Sequence, residues 1–185
     1  MIKPLPLRKQ SLLNLHLWNS GIILGSVLLC SVMMLLRLPA MVLSGIGPNW
    51  LLVWVVTWSV KRTTLQGTMA GICLGLIQDG LTASQPTHTM GLALVGLLTG
   101  RLNTKRFLQE DFISIALIVF AMALMVEATA AIQFGLGGTH RLEDVWLHFR
   151  QTALSSAILS SFWAPVVYFP LNRWWERYHR LLGIE

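Results

Sequence analysis

The sequence predicts an all-α integral membrane protein, a single bundle of about six transmembrane helices. Three observations predict it: 54% of the 185 residues are hydrophobic, only 12% are charged, and apolar runs recur along the whole chain. A soluble domain carries roughly 25% charged residues. A helix needs about 20 apolar residues to cross the hydrocarbon core of a bilayer, and the apolar runs approach that length.

Charged residues, prolines and glycines set the boundaries of the spans, because they are costly in lipid or end helices. The second span is short, so we expect its helix to continue past Lys61 and Arg62 to about Leu65, with both basic side chains extended toward the headgroups. Pro165 and Pro170 predict a kink or an early end in the last span. The predicted spans are 15–36, 49–65, 67–81, 90–102, 112–134 and 146–171.

The distribution of basic residues predicts that both termini are cytoplasmic, because lysine and arginine concentrate in cytoplasmic loops. With the N-terminus inside, the outer side holds only Arg37, Arg141 and Arg150. We therefore attribute the net charge of +6 to membrane topology and expect no nucleic-acid partner. The inner side holds Lys3, Arg8, Lys9, Lys61, Arg62, Arg101, Lys105, Arg106, Arg173, Arg177 and Arg180.

A stripe of small residues runs along the third span. Gly67, Gly71, Gly75 and Asp79 follow one another at intervals of four residues, which places them on one helix face. Small residues at this spacing let two helix backbones approach closely in lipid. The stripe therefore predicts close packing inside the bundle, or a groove for a partner or ligand.

Two acidic residues lie within predicted spans, where a carboxylate is costly and often functional. Asp79 is near the outer end of its span and is expected to bond the backbone of the following loop, or to contact a partner or ligand. Glu127 is near the middle of the fifth span, close to Gln133. For Glu127, a buried structural hydrogen bond, a ligand or partner contact and proton transfer all remain open.

The basic, aromatic tail of residues 172–185 resembles an interfacial membrane anchor, with arginines facing anionic lipid and aromatic rings at headgroup level. Docking of a cytoplasmic partner is the alternative. The residues that form this predicted anchor are Arg173, Trp174, Trp175, Arg177, Tyr178 and Arg180.

The sequence shows no catalytic or metal-binding pattern. The five histidines are scattered without an H-x-x-H spacing, and Cys30 and Cys73 both lie inside apolar runs. No nucleophile elbow or phosphate-binding loop occurs in a suitable context. We therefore expect a protein without enzymatic activity, metal or cofactor.

In the order of its features, the chain resembles the MreD family of bacterial membrane proteins. The resemblance covers most of the chain, from the first span to the basic tail. The residues that carry it open and close the spans: Gly47-Pro48-Asn49-Trp50, Trp58 with Lys61-Arg62, the stripe from Gly67 to Asp79-Gly80, Gly91, Gly100-Arg101-Leu102, and Trp163-Ala164-Pro165. The polar loop from Ala83 to Met90 and the heavy basic tail depart from the family pattern.

The resemblance implies a non-enzymatic scaffold of the cell-elongation machinery in the bacterial inner membrane. Such proteins bind the single-span protein MreC and through it link MreB filaments to the polymerase RodA and a class B penicillin-binding protein. The implied fold is a six-helix bundle similar to the substrate-binding subunits of energy-coupling-factor vitamin transporters. Such a subunit is also the rival function, with Asp79 and Glu127 as its polar groups, although a vitamin pocket would need a richer polar lining.

Overall fold

A computed structural model describes residues 9–36, 41–42, 45–82, 87–102, 112–136 and 142–182. For residues 9–13 and 142–151 it describes the backbone alone. These residues form helices and short connections, without a β-strand, so the all-α prediction is confirmed. The described helices are α1 (Lys9–Leu36), α2 (Trp50–Ser59), α3 (Thr64–Thr82), α4 (His88–Arg101), α5 (Phe112–Leu136) and α6 (Leu142–Leu182).

Contacts between helix ends show that successive helices run in alternating directions. At one end, which we call the basic end, the Lys61 ammonium lies 3.2 Å from the Glu176 carboxylate of α6. The Tyr178 hydroxyl at this end lies 2.6 Å from Nδ1 of His16 in α1. At the opposite end, Asp79 of α3 accepts a hydrogen bond from the backbone N–H of His88, at the start of α4.

Three of the described helices are long and apolar enough to cross a membrane: Asn14–Leu36, Phe112–Leu136 and Thr152–Leu182. Their exposed sides carry large apolar side chains, such as Leu28 (65% exposed), Leu117 (65%) and Phe162 (70%). In water such a surface would be strongly unfavourable, whereas in hydrocarbon it is the expected outer face of a helical bundle.

Helix α2 is the centre of the bundle. Nine of its ten residues are buried, and the exception is Trp58. Helix α2 also contacts every other described helix. Ten residues extend about 15 Å, which is half of the ~30 Å hydrocarbon core. The apolar character of α2 therefore comes from its position in the protein core and not from contact with lipid.

The start of α2 is stabilised inside the bundle. The Asn49 side chain accepts a hydrogen bond from the Leu52 N–H at 3.1 Å, as an N-cap residue does. The Asn49 N–H in turn donates to the Ser160 hydroxyl of α6 at 2.9 Å. Because these groups satisfy one another, a helix can begin within the protein interior at little cost.

The prediction that the second helix continues to Leu65 is wrong. Helix α2 ends at Ser59, and α3 begins at Thr64. The cause is a capping box, in which the Thr63 hydroxyl accepts from the Gln66 N–H and the Gln66 side chain accepts from the Thr63 N–H, both at 3.4 Å. Lys61 and Arg62 therefore lie in a turn at the basic end and do not extend along a continuous helix.

Of the two alternatives for the last helix, a kink or an early end, the early end is wrong and the kink stays a prediction. Helix α6 continues from Leu142 to Leu182 through both Pro165 and Pro170, without the early end that the prolines predicted. Ala164, directly before Pro165, and Tyr168, between the two prolines, are packed in the core with exposures of 0% and 2%. This packing stabilises the helix against the loss of the hydrogen bonds that proline cannot donate.

Candidate functional sites on the helix bundle

The glycine stripe of α3 lies directly against α4. A Cβ atom added at Gly67 would overlap the carbonyl oxygen of Gly96, and one added at Gly71 would overlap that of Leu92. Main-chain atoms cannot move aside as flexible side chains can, so these positions require glycine. The stripe is therefore covered by a neighbouring helix of the same chain and offers no open groove.

The facing surface of α4 is built in the same way. A Cβ atom at Gly96 would overlap the Gly67 carbonyl, and one at Gly100 would lie 2.7 Å from the Cα atom of Thr64. The Thr64 hydroxyl donates to the Gly100 carbonyl at 3.2 Å. Helices α3 and α4 thus form a tight antiparallel hairpin in which glycines of both partners take part.

Asp79, the last residue of the stripe, fastens this hairpin at its loop end. Its Oδ1 accepts from the His88 N–H at 2.7 Å, and its Oδ2 accepts from the Thr89 N–H at 3.2 Å and the Thr89 hydroxyl at 2.7 Å. These N–H groups belong to the first turn of α4, which has no internal partner for them. A carboxylate there also complements the positive end of the helix dipole. The geometry matches the structural alternative for Asp79.

Gln133 and Glu127 lie on α5. The Gln133 amide accepts from the Thr87 N–H at 3.1 Å and donates to the Thr87 carbonyl at 3.2 Å, which ties α5 to the residue preceding α4. Glu127 is half-buried near the middle of α5 and interacts with neighbouring groups. Its functional role, open in the sequence, stays a prediction.

The tail is the final part of α6 and is only partly exposed. Arg173, Arg177 and Arg180 are exposed, but Trp175 and Tyr178 are 4% and 8% exposed. The aromatic rings were expected on lipid, and these two instead pack in the protein. The lipid-anchoring role of the arginines stays a prediction.

The contacts of the tail explain this burial. The Tyr178 hydroxyl bonds His16, and the indole N–H of Trp174 donates to the Asn19 side chain at 3.3 Å. Both partners lie in the first part of α1, so the tail holds α1 against the bundle at the basic end.

A further set of spaced glycines, the pair on α1, was missed by the sequence analysis. Gly21 and Gly25 are exposed, and an added Cβ atom at either would meet nothing within 4 Å. Their four-residue spacing was the available signal, as in α3. In the most apolar stretch of α1 only 11% of the residues are buried in the bundle, a smaller share than in the other two candidate membrane spans. We call this surface the open α1 face; it comprises Leu17, Trp18, Gly21, Gly25, Leu28 and Val32.

The part of the chain that the structure describes contains no group of three or more histidine, cysteine, aspartate or glutamate side chains that could hold a metal ion. The arrangement described here is one of helix packing, with polar groups used mainly to cap and join helices.

The family model of the rod shape-determining protein MreD matches residues 16–174 of the chain. Comparisons with curated proteins and with solved structures give no match. The expected similarity to energy-coupling-factor transporter subunits therefore stays a prediction. The family match extends from α1 to the first residues of the tail, so that Trp175, Arg177, Tyr178 and Arg180 lie beyond it. The chain belongs to the MreD family, membrane proteins that determine rod shape within the machinery that includes MreC.

Proposed function

We propose that this protein is a non-enzymatic scaffold of the cell-elongation machinery and that its open α1 face binds the transmembrane helix of an MreC-like partner. Through that partner it would help to organise MreB filaments, RodA and a class B penicillin-binding protein during peptidoglycan synthesis. The family match supports the role in rod shape, and the geometry of α1 supports the choice of surface.

The three glycines of the α3 stripe and the two glycines of α1 differ in what covers them. The stripe of α3 is occupied by α4, whereas Gly21 and Gly25 are open. Without a hydrophobic driving force in lipid, helices associate by close packing, and small residues four positions apart let a second backbone approach. Trp18 and Leu28, 69% and 65% exposed, flank the glycines and would pack around an incoming helix.

We also propose the inner membrane as the location, with several crossings and both termini on the cytoplasmic side. The alternating helix directions bring Lys61, Arg62 and the three arginines of the tail to one end of the bundle. A concentration of basic residues at one end is what the positive-inside rule associates with the cytoplasm.

The test is co-purification of the partner from native membranes after substitution of the open glycines. Gly21→Leu and Gly25→Leu should reduce recovery of the MreC-like protein, because a leucine side chain separates the two backbones. Gly135→Leu is the matched control, since Gly135 is also exposed with nothing within 4 Å of an added Cβ atom, but lies on α5.

The proposal predicts normal membrane levels for all three variants and loss of the partner in the first two only. Equal recovery with Gly25→Leu and Gly135→Leu would contradict the choice of surface. Recovery of an ATPase pair in place of an MreC-like protein would contradict the proposed function itself.

A further inference from the structure

A cavity of about 420 Å³ opens at the basic end, between the turn that follows α2 and the last part of α6. Its lining includes Lys61, Arg62, Asn172, Trp175, Glu176 and Arg180. Pockets for small ligands typically measure roughly 300–1,000 Å³, so the cavity is large enough for a headgroup-sized molecule. None of these side chains takes part in the packing of α3 on α4 or in the open α1 face.

The lining carries an excess of positive charge. Its single carboxylate, Glu176, already accepts from the Lys61 ammonium at 3.2 Å and from the Asn172 amide at 2.7 Å. Arg62 forms no ion pair with any residue that the structure describes, and its guanidinium lies 5.3 Å from the centre of the Trp58 ring. Arg62 is partly buried, and this burial lowers the pKa of its guanidinium because the charged form is partly removed from water. An anion in the cavity would supply the missing counter-charge.

Two lining residues also have buried polar atoms without a hydrogen-bond partner in the described part of the chain. They are Oδ1 of Asn172 and the indole nitrogen of Trp175, in residues 5% and 4% exposed. Buried polar atoms are nearly always paired. One atom is an acceptor and the other a donor, so a ligand with both phosphate oxygens and a hydroxyl group would complement them.

The surroundings of the cavity indicate the level of lipid headgroups. Trp58 and Trp174, which are both partly exposed, lie at this end of the bundle, as aromatic residues do at membrane interfaces. Leu65 and Leu181, which are 74% and 53% exposed, lie near the same end. Basic pockets between helices at this depth typically bind anionic lipid headgroups.

We propose that this cavity binds the headgroup of an anionic phospholipid such as phosphatidylglycerol. Arg62, Arg180 and the Trp175 N–H donate to the phosphate, and a headgroup hydroxyl donates to Asn172. The site depends on the protein being in a membrane and not on the identity of its partner.

Native mass spectrometry of the full chain, released from micelles containing phosphatidylglycerol or phosphatidylcholine, tests the proposal. The wild-type protein should retain phosphatidylglycerol in preference to phosphatidylcholine. The double substitution Arg62→Gln with Arg180→Gln should lower that affinity by roughly tenfold or more, because each arginine is a charged hydrogen-bond donor. Arg62→Gln alone should lower the affinity several-fold. Its matched control is Arg101→Gln, which removes the same charge from an exposed position at the basic end, outside both the cavity and the predicted anchor, and should keep wild-type binding.

Trp175→Phe gives a second measurement if the double variant does not fold, since it keeps the ring and removes only the N–H donor. It should weaken phosphatidylglycerol binding several-fold. An equal loss in Arg101→Gln and Arg62→Gln, or equal retention of phosphatidylcholine by the wild-type protein, would overturn the proposal. Inorganic phosphate is the remaining probe: if it displaces phosphatidylglycerol completely at equal concentration, the site is one for free anions and not for lipid.

Discussion

Gly71 of α3 and Leu92 of α4 meet backbone to backbone, with the Leu92 carbonyl where a side chain at position 71 would begin. This approach is repeated at Gly67 against Gly96 and at Gly75 against Thr89. One face of α3 is thereby committed to the interior of the bundle, whereas the Gly21 and Gly25 positions of the open α1 face have nothing packed against them.

Alanine substitutions at Gly71 and Gly21 should have opposite effects on stability. Gly71→Ala forces two backbones apart, and overpacking of this kind costs about 1–3 kcal/mol. Gly21→Ala adds a methyl group in open space and replaces glycine in a helix, which favours the folded state by roughly 0.5–1 kcal/mol. Thermal unfolding in detergent measures both, and an unchanged melting temperature for Gly71→Ala would show that the hairpin is looser than described.

Asp79→Ala should loosen the start of α4. The substitution removes the acceptor for two backbone N–H groups and the Thr89 hydroxyl, and loss of such a cap costs typically ~1 kcal/mol. Asp79→Asn keeps one acceptor oxygen and should therefore retain part of the capping of α4. Amide hydrogen exchange at residues 88–91 is the measurement. Protection that is the same in wild type and Asp79→Ala would exclude a capping role.

Single cysteines should report the orientation of the bundle in whole cells. In a background where Cys30 and Cys73 are replaced, Gly80→Cys should react with a membrane-impermeant thiol reagent from outside, whereas Arg177→Cys should react only after the membrane is opened. Both positions are exposed and lie at opposite ends of the bundle. The reverse pattern would place the termini outside.

Local spacing in the sequence was sufficient for some features and not for others. The four-residue spacing of Gly67, Gly71 and Gly75 fixed a packing face, because helical periodicity alone determines which residues share a face. It could not show that α4 covers this face, since that depends on where the chain returns. For the same reason the spacing could not distinguish the α3 stripe, which α4 covers, from the open pair of Gly21 and Gly25.

Composition was a weaker guide for α2. A helix buried in protein and a helix buried in lipid are both apolar on all sides, so composition predicts an ordinary span over 49–65. The Thr63-x-x-Gln66 capping box was present in the sequence, yet the neighbouring Lys61 and Arg62 were interpreted as snorkelling residues of a longer helix. The contact of Lys61 with Glu176 joins residues 115 positions apart and becomes visible only in the folded chain.

Site-specific photocrosslinking in native membranes tests the central claim most directly. A photoreactive residue in place of Trp18 or Leu28, on the open α1 face, should crosslink to the MreC-like partner, whereas one in place of the equally exposed Leu117 on α5 should not. Crosslinks from Leu117 with none from Trp18 or Leu28 would contradict the account.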